Sequence, residues 1–293
     1  MVDKNFSDLA AFANHLADIS EPIARKYFRL PNGEVAKEDK SPVTQADREI
    51  EKIMRAEIER QFPDHGIIGE EFGLRNPSSD YQWILDPIDG TSSFIIGRPT
   101  FGTLIALAYK GDVKVWIINQ PISRERWLGV IDQGAWLNGK PISTRDCGEI
   151  SNAIISTTSQ FFFEENDLRK FQKLAAQAKY QRFGGVVYGG DCYAYALLAS
   201  GFIDIIIEPS LQVYDYAALI PIIKMAGGFV GDWYGNEIGL QSDGKIIACG
   251  SEALYRKAVE LMKQTWTNNW IASYFPNRRI LSCRIFSKSS PAW

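Results

Sequence analysis

The most informative stretch of the sequence is Trp83-Ile84-Leu85-Asp86-Pro87-Ile88-Asp89-Gly90-Thr91. Its apolar beginning predicts a buried strand that delivers Asp86 to the exposed end of that strand. Pro87 fixes φ and lacks an amide proton, so we expect the chain to turn there. The turn would bring Asp89 beside Asp86 and leave the carbonyl of Ile88 between them. Two carboxylates and a carbonyl are the oxygen ligands that Mg²⁺ prefers, so the stretch predicts a metal site.

The same stretch continues into a candidate phosphate site. If a helix begins after Gly90, its first amide groups have no partner inside the helix and offer a cradle for phosphate at Gly90 and Thr91. Asp-Pro and Asp-Gly also occur in ordinary turns between a strand and a helix, and that alternative is open for each dipeptide alone. Their combination with a preceding apolar strand and a following Gly-Thr pair indicates a functional site.

Three further segments place acidic side chains outside this stretch. Adjacent carboxylates occur in Gly69-Glu70-Glu71-Phe72-Gly73, where they repel each other and gain little unless a cation binds. A solvated acidic loop is the alternative for that segment. Asp215 precedes a predicted helix and is equally explained as its N-cap. Asp47 follows Thr44 by three residues, which is also the spacing of a capping box.

These acidic side chains are connected by their effect on a phosphate ester. Four of them would repel it, namely Glu70, Asp86, Asp89 and Asp215. Divalent cations remove that repulsion, and two ions about 3.5–4 Å apart both activate a water molecule and stabilise the leaving oxygen. The pattern therefore predicts in-line attack by water without a covalent enzyme intermediate.

The residue types exclude the rival phosphatase chemistries. No cysteine is followed by an arginine six positions later, as a phosphocysteine mechanism requires. Asp86 and Asp89 are three positions apart, whereas an aspartyl-phosphate motif needs two, and no GxxxxGK[ST] loop occurs. The chain has only two histidines, His15 and His65. A His-rich zinc site is thus excluded, and a Ser-His-Asp triad would have to use one of these two.

Composition and charge describe a globular chain with a sizeable core. Of the 293 residues 45% are hydrophobic, and the formal net charge is −3 without a long run of either sign. These values argue against nucleic acid as a partner and against a polybasic membrane anchor. No apolar window reaches the roughly 18 residues of a membrane span. Four cysteines lie far apart without a CxxC pair, so we expect a reducing, cytoplasmic location.

Periodicity divides the chain into a β-rich first half and an α/β second half, which predicts a layered fold. Helices are predicted for 7–29 with a kink or restart at Pro22, and for 44–61, 164–179, 191–200 and 216–226, the last kinked at Pro221. Strands are predicted for 67–68, 82–85, 103–109, 113–119, 126–131, 153–156, 202–207 and 246–249. We expect a catalytic unit at 1–263, with lobes at about 1–145 and 146–263, followed by a tail at 264–293 of unassigned role.

The sequence resembles the inositol-monophosphatase superfamily from about residue 7 to residue 262. The likeness rests on Gly69-Glu70-Glu71, on Asp86-Pro-Ile-Asp-Gly-Thr91, and on the Asp215 segment closing in Ala226-Gly227-Gly228. These motifs occur in the order and spacing of the family. The resemblance implies a layered αβαβα sandwich of the inositol-monophosphatase and fructose-bisphosphatase type. It also implies two or three Mg²⁺ ions per site, a small phosphomonoester as substrate, and a homodimer.

The resemblance assigns three overlapping sets of site residues by position. The catalytic set is Asp47, Glu70 and Thr91, in which Thr91 orients the attacking water with support from Asp47. The metal-binding set has Glu70, Asp86 and the Ile88 carbonyl for the activating ion, and Asp86, Asp89 and Asp215 for the second ion. The substrate-binding set, in which the Gly90 and Thr91 amides hold the phosphate, is Asp89, Gly90, Thr91, Gly190, Asp191, Glu208 and Asp215.

Within the superfamily, the chain is most similar to the bacterial and plant histidinol-phosphate phosphatases. The matching stretches are 41–47, 97–106, 120–127, 189–195 and 214–219. Asp191 and Glu208 lie where the family contacts the non-phosphate part of its substrate, and carboxylates there suit the ammonium and imidazole groups of histidinol phosphate. An N-cap role for Asp191 is the alternative. Ser92 departs from the subgroup, which often has lysine at that position.

The resemblance therefore implies hydrolysis of L-histidinol phosphate to L-histidinol and phosphate, a step of histidine biosynthesis. An inositol phosphate or another small phosphomonoester is the nearest alternative substrate. A non-catalytic relative that keeps the fold as a dimerising interaction module is an alternative of a different class. The intact acidic set speaks against it, because such a module has no need to retain every acidic residue.

Overall fold

The computed structural model of the chain describes residues 6–29, 35–36, 42–43, 45–178 and 186–263. These residues lie in one compact unit, Met1–Lys263. The predicted tail and Thr44, the partner of Asp47 in the predicted capping box, lie outside the described residues, and the predicted lobe boundaries stay predictions. Over the described ranges, no helix combines the length and the apolar character needed to cross a bilayer.

The described part of the chain has runs of consecutive strands in its first half and shorter groups of strands and helices in its second half. The helices are α1 (Phe6–Tyr27), α2 (Gln45–Gln61), α3 (Thr91–Ile95), α4 (Glu165–Ala175), α5 (Asp191–Ala199), α6 (Val213–Tyr216), α7 (Leu219–Met225) and α8 (Glu252–Lys263). The first strands are β1 (Val35–Ala36), β2 (Pro42–Val43), β3 (Gly66–Gly69), β4 (Gly73–Arg75), β5 (Tyr81–Asp89), β6 (Gly102–Tyr109), β7 (Asp112–Gln120) and β8 (Glu125–Val130). The remaining strands are β9 (Gly134–Leu137), β10 (Lys140–Pro141), β11 (Ile155–Thr157), β12 (Val186–Tyr188), β13 (Ile205–Glu208), β14 (Phe229–Asp232) and β15 (Ile246–Cys249).

The larger sheet has eight strands in the order β10-β9-β8-β7-β6-β5-β3-β4. The predicted meander at 103–131 is confirmed as β6, β7 and β8, whose neighbours pair antiparallel. Side chains of β5 alternate between the two faces, so Trp83 and Leu85 belong to one apolar core and Ile84 to the other. Asp86 follows Ile84 by two residues and therefore faces the interior of the molecule.

Three apolar cores hold five layers together, and the central core packs on both sides of the middle helix layer. Helices α1 and α2 pack on the outer face of the larger sheet. Helices α5 and α7 lie between that sheet and a second sheet of order β12-β11-β13-β15-β14. Helices α4 and α8 cover the far face of the second sheet. The arrangement confirms the predicted αβαβα sandwich.

Two predicted helices differ from the structure at prolines. Helix α1 continues through Pro22, so the predicted restart is wrong, whereas the predicted kink stays a prediction. The missing amide removes one intrahelical bond, which the buried side chains on either side, Leu16 and Ala24, offset by packing. The helix predicted for 216–226 is instead split into α6 and α7. Pro221 lies in the first turn of α7, where amides have no intrahelical partner, so the chain breaks before the proline instead of kinking at it.

Candidate active site

An irregularity in β5 sets the direction of the two central carboxylates. Asp86 pairs with Leu104 of β6 and Asp89 pairs with Gly102, so β5 has one residue more than its partner in this interval. Side chains three positions apart in a regular strand point to opposite faces, and the extra residue puts both carboxylates on the same side. The turn predicted at Pro87 is wrong in form, because the strand continues to Asp89 with Pro87 in the bulge.

Asp215 reaches the same place from the central helix layer. It is the third residue of α6, where its carboxylate accepts a hydrogen bond from the Gln212 amide at 2.7 Å. The Gln212 side chain accepts in turn from the Asp215 amide, so the two residues form a capping box. The N-cap is thus Gln212, and the alternative that made Asp215 the N-cap is wrong. Carboxylate oxygens of Asp86, Asp89 and Asp215 all lie within 4.8 Å of one another.

Glu70 lines the same cavity but lies outside that group of three. Its amide donates to the Leu85 carbonyl at 3.2 Å and ties the loop after β3 to β5. Beneath the loop, the fully buried carboxylate of Glu51 accepts the amides of Glu71 at 2.7 Å and Phe72 at 3.2 Å. The side chain of Glu71 is only 2% exposed. The alternative of a solvated acidic loop is therefore wrong for this segment.

The electrostatics of the cluster fit a divalent cation. Asp86 is buried, and its Oδ1 has no hydrogen-bond partner in the part of the chain that the structure describes. Burial, followed by the charge of Glu70, raises the pKa of Asp86 well above its usual range. Burial, followed by the charge of Asp191, raises the pKa of Asp89 in the same way. A bound cation would remove both penalties, and carboxylate oxygens are the ligands that Mg²⁺ prefers.

The residues predicted to orient water lie beside this cluster. Helix α3 begins at Thr91 after Gly90, which has a φ of 81° in the left-handed region, and the predicted helix start is thereby confirmed. The Thr91 hydroxyl donates to the carbonyl of Ile88 at 3.0 Å. Asp47 on α2 is buried, and its charge contributes to the raised pKa of Asp86. The catalytic roles of Thr91 and Asp47 stay predictions.

Two hydrogen bonds connect the start of α5 to the segment that contains Asp89 and Ser93. The Ser93 hydroxyl donates to Asp191 Oδ2 at 2.7 Å, and the Cys192 amide donates to Asp89 Oδ2 at 2.6 Å. The N-cap of α5 is Gly190, so the N-cap alternative for Asp191 is wrong. Asp191 instead occupies the left-handed region with a φ of 46°, a conformation that costs a non-glycine residue about 1–2 kcal/mol. The crossed bonds hold that conformation and fix the orientation of Asp89.

These elements enclose a cavity of about 200 Å³. Its lining residues are Glu70, Asp86, Ile88, Asp89, Gly90, Thr91, Thr158, Phe162, Asp191, Cys192, Tyr195, Glu208, Ser210, Leu211, Asp215 and Leu219. The structure thus brings together all the residues predicted to bind metal, and every residue predicted to bind substrate except Gly190, which does not line the cavity. Six of the lining residues are acidic and none is basic, so the cavity suits a ligand that brings positive charge.

Glu208 is the acidic residue of the cavity that belongs to a strand of the second sheet. It is the last residue of β13, it is 3% exposed, and its Oε1 accepts the Thr158 amide at 2.6 Å. Burial raises the pKa of Glu208 to about 8, although the Thr158 hydrogen bond partly opposes the rise. A cation in the cavity would favour the ionised form of this carboxyl group.

The pH dependence of stability should report this burial. In metal-free protein, Glu208 keeps its proton up to about pH 8, whereas the unfolded chain loses it near the ordinary value of 4.5. The free energy of unfolding should therefore fall as the pH rises through that interval. Urea denaturation of EDTA-treated protein between pH 5 and 8 should show a shallower fall for Glu208→Gln than for the wild type. Parallel curves for the two proteins would contradict the expectation.

Three supporting residues escape the sequence prediction, although two of them carry a signal. Glu51 follows Asp47 by four positions on α2, and Tyr195 follows Asp191 by four positions on α5, so each shares a helix face with a predicted site residue. Ser93 has no such signal. Its bond to Asp191 joins residues 98 positions apart and exists only in the folded chain.

Known proteins match the chain along most of its length. The inositol monophosphatase family matches residues 5–267. The bifunctional phosphatase IMPL2, chloroplastic, of Arabidopsis thaliana is 43% identical over 270 residues, which cover 89% of this chain and 77% of that protein. The histidinol-phosphatase of Chlorobaculum parvum is 34% identical over 239 residues, which cover 80% of this chain and 90% of that protein.

Solved structures agree with the sequence relatives. The structure of an inositol monophosphatase from Zymomonas mobilis is 41% identical, covers 89% of this chain and 100% of that chain, and superposes with a TM-score of 0.80. The family match, the shared fold and the acidic cluster all support the same family assignment. The chain belongs to the inositol monophosphatase family and is a phosphatase.

Proposed function

We propose that the protein is an Mg²⁺-dependent phosphomonoesterase that hydrolyses L-histidinol phosphate to L-histidinol and phosphate. The observation that carries the proposal is the acidic cavity, in which Asp191 and Glu208 add two carboxyl groups to those of the metal cluster. Inositol is a neutral leaving group and gains little from this excess of negative charge. Histidinol carries an ammonium group and an imidazole, which carboxylates bind by charge-assisted hydrogen bonds.

The metal ligands follow from the cluster of carboxylates. Glu70, Asp86 and the carbonyl of Ile88 would hold one Mg²⁺. Asp86, Asp89 and Asp215 would hold a second, and the proposal allows two or three ions per site. Bound Mg²⁺ supplies charge neutralisation, activation of water and stabilisation of the leaving oxygen. The support on the protein side is the buried, unpartnered Oδ1 of Asp86 and the mutual distance of 4.8 Å or less within the group of three.

The remaining roles fall to groups of the chain itself. The amides of Gly90 and Thr91, both of which line the cavity, would bind the phosphate. The hydroxyl of Thr91 would orient the attacking water. When the Ile88 carbonyl binds Mg²⁺, Asp47 would accept the hydrogen bond that the Thr91 hydroxyl now donates to this carbonyl. On the organic side, Asp191 and Glu208 would bind the nitrogen groups of the substrate. Gly190 would act through the backbone, because it caps the helix that carries Asp191.

Two relatives support different substrates for this protein, and one assay distinguishes the two assignments. The histidinol-phosphatase of Chlorobaculum parvum supports the proposal, whereas the inositol monophosphatase of Zymomonas mobilis supports an inositol phosphate as the alternative. We expect purified protein with Mg²⁺ to release phosphate from L-histidinol phosphate with a kcat/KM at least about tenfold above that for inositol 1-phosphate. EDTA should abolish both activities. A preference for inositol 1-phosphate would overturn the substrate assignment, and a histidine auxotroph lacking this phosphatase provides an independent complementation test.

We also propose that the protein is a homodimer in a reducing compartment such as the cytoplasm. Strand β12 lies at an edge of the second sheet, and its Val187 and Tyr188 are about half exposed. Exposed apolar edges are surfaces on which a second chain packs. Light scattering should give twice the chain mass, and a monomer would contradict the dimer. A purely non-catalytic dimeric module would show no phosphate release in the assay above.

The reducing compartment is supported by the cysteines, since Cys147, Cys192 and Cys249 are free thiols.

A further inference from the structure

Tyr195 presents a buried hydroxyl group that the described residues leave without a hydrogen-bond partner. The residue lies on α5, is 3% exposed and lines the cavity. Its phenol oxygen has no hydrogen-bond partner among the residues that the structure describes. A polar group buried in this way destabilises the folded state unless something else bonds it. A phenylalanine would fill the same space without that penalty, so the hydroxyl needs a partner that enters the cavity.

The surroundings of Tyr195 define the partner. Burial and the nearby charge of Glu208 raise the pKa of Tyr195 well above its usual range, so the phenol stays protonated at neutral pH. The hydroxyl therefore offers one donor and an acceptor oxygen. Glu208 already uses one oxygen on the Thr158 amide. A ligand between the two side chains thus meets a carboxyl group and a hydroxyl group, with no basic side chain lining the cavity.

We propose that Tyr195 is a specificity-determining residue that acts with Glu208 and whose hydroxyl hydrogen-bonds a nitrogen of the substrate's leaving group. The inference rests on the proposed function, because it requires a nitrogen-containing phosphomonoester. Nitrogen fits better than the hydroxyl groups of a polyol because the cavity is lined by six acidic residues and no basic one. Such a lining binds a cationic or N–H-bearing group more strongly than a neutral alcohol.

The matched pair of variants is Tyr195→Phe and Tyr193→Phe. Tyr193 lies two positions earlier on the same helix, and its hydroxyl donates to Glu125 at 2.7 Å, outside the cavity. Tyr195→Phe should lower kcat/KM for L-histidinol phosphate about tenfold or more, mainly through KM, because the hydrogen bond to a polar substrate group is lost. It should leave kcat/KM for glycerol 2-phosphate and the Mg²⁺ requirement at wild-type values, and the melting temperature at or above the wild-type value. Tyr193→Phe should change neither activity.

The outcomes separate this inference from the proposed function. An equal loss on both substrates would overturn the inference, since it would assign Tyr195 to the common machinery of the site. Unchanged kinetics on L-histidinol phosphate would also overturn it, because the hydroxyl would then bond only water. In either case the wild-type preference for L-histidinol phosphate would still stand. A wild-type enzyme that prefers inositol 1-phosphate would instead overturn the proposed function, and this inference with it.

Discussion

Replacement of Asp89 by Asn is expected to lower kcat about 10³-fold or more, because the proposed Mg²⁺ site would lose a charged ligand and with it several kcal/mol of transition-state stabilisation. Asp89 belongs to the group of three carboxylates within 4.8 Å of one another. The variant keeps a side chain of the same shape, and its amide oxygen is able to accept the Cys192 amide as Asp89 Oδ2 does at 2.6 Å. The loss should therefore come from the missing charge. Phosphate release at saturating Mg²⁺ measures it.

The same variant should be at least as stable as the wild type when metal is removed. Burial and neighbouring charges raise the pKa of Asp89, so the ionised carboxylate disfavours the folded state at neutral pH in the absence of a cation. Asparagine removes that penalty, and the melting temperature in EDTA should rise. Asp112→Asn is the control, since the Asp112 side chain is 79% exposed and pairs with Lys114 at the surface. Unchanged turnover in Asp89→Asn would refute the assignment of the site.

The local chemistry of the candidate site was predictable because its two central carboxylates share one short stretch. Asp86 and Asp89 flank Pro87, and the apolar run before them predicts a buried strand, as the structure confirms. The bulge was not predictable, because the register that creates it depends on pairing with β6, whose Gly102 and Leu104 are distant in the sequence. The conformation of Asp191 is likewise fixed by a partner, Ser93, that no local pattern connects to it.

The fold was predictable to the level of its layers, and less so at its edges. Long helices and central strands have enough residues for their periodicity to be recognised, and most of their predicted bounds differ from the structure by one or two positions. The strands that escaped prediction are short, and six of them end a sheet, namely β1, β2, β4, β10, β12 and β14. Pairing on one side and a length of two to four residues leave almost no apolar alternation to detect.

Replacement of Glu51 by Gln is expected to lower both stability and activity, although this side chain is not among the residues that line the cavity. Its carboxylate is fully buried and accepts the amides of Glu71 and Phe72 as well as Arg55 Nε at 2.7 Å. Gln retains one acceptor oxygen and turns an amide donor toward the other donors. Loss of the buried hydrogen bonds and of the ion pair with Arg55 should lower the free energy of unfolding by about 2–4 kcal/mol, which urea denaturation measures.

The effect of Glu51→Gln on activity should appear in the Mg²⁺ requirement. Glu51 holds the loop that carries Glu70, and a Cβ on Gly69 would lie 1.9 Å from Glu51 Oε1, so the loop backbone lies directly against this carboxylate. Loosening the loop should raise the Mg²⁺ concentration for half-maximal activity about tenfold, as losses of residues that orient metal ligands do. Glu59→Gln on the same helix is the matched control, because its side chain is 44% exposed and pairs with Arg75 at the surface. An unchanged Mg²⁺ requirement in Glu51→Gln, together with a lowered stability, would mean that Glu70 keeps its position without this support and that Glu51 serves the fold alone.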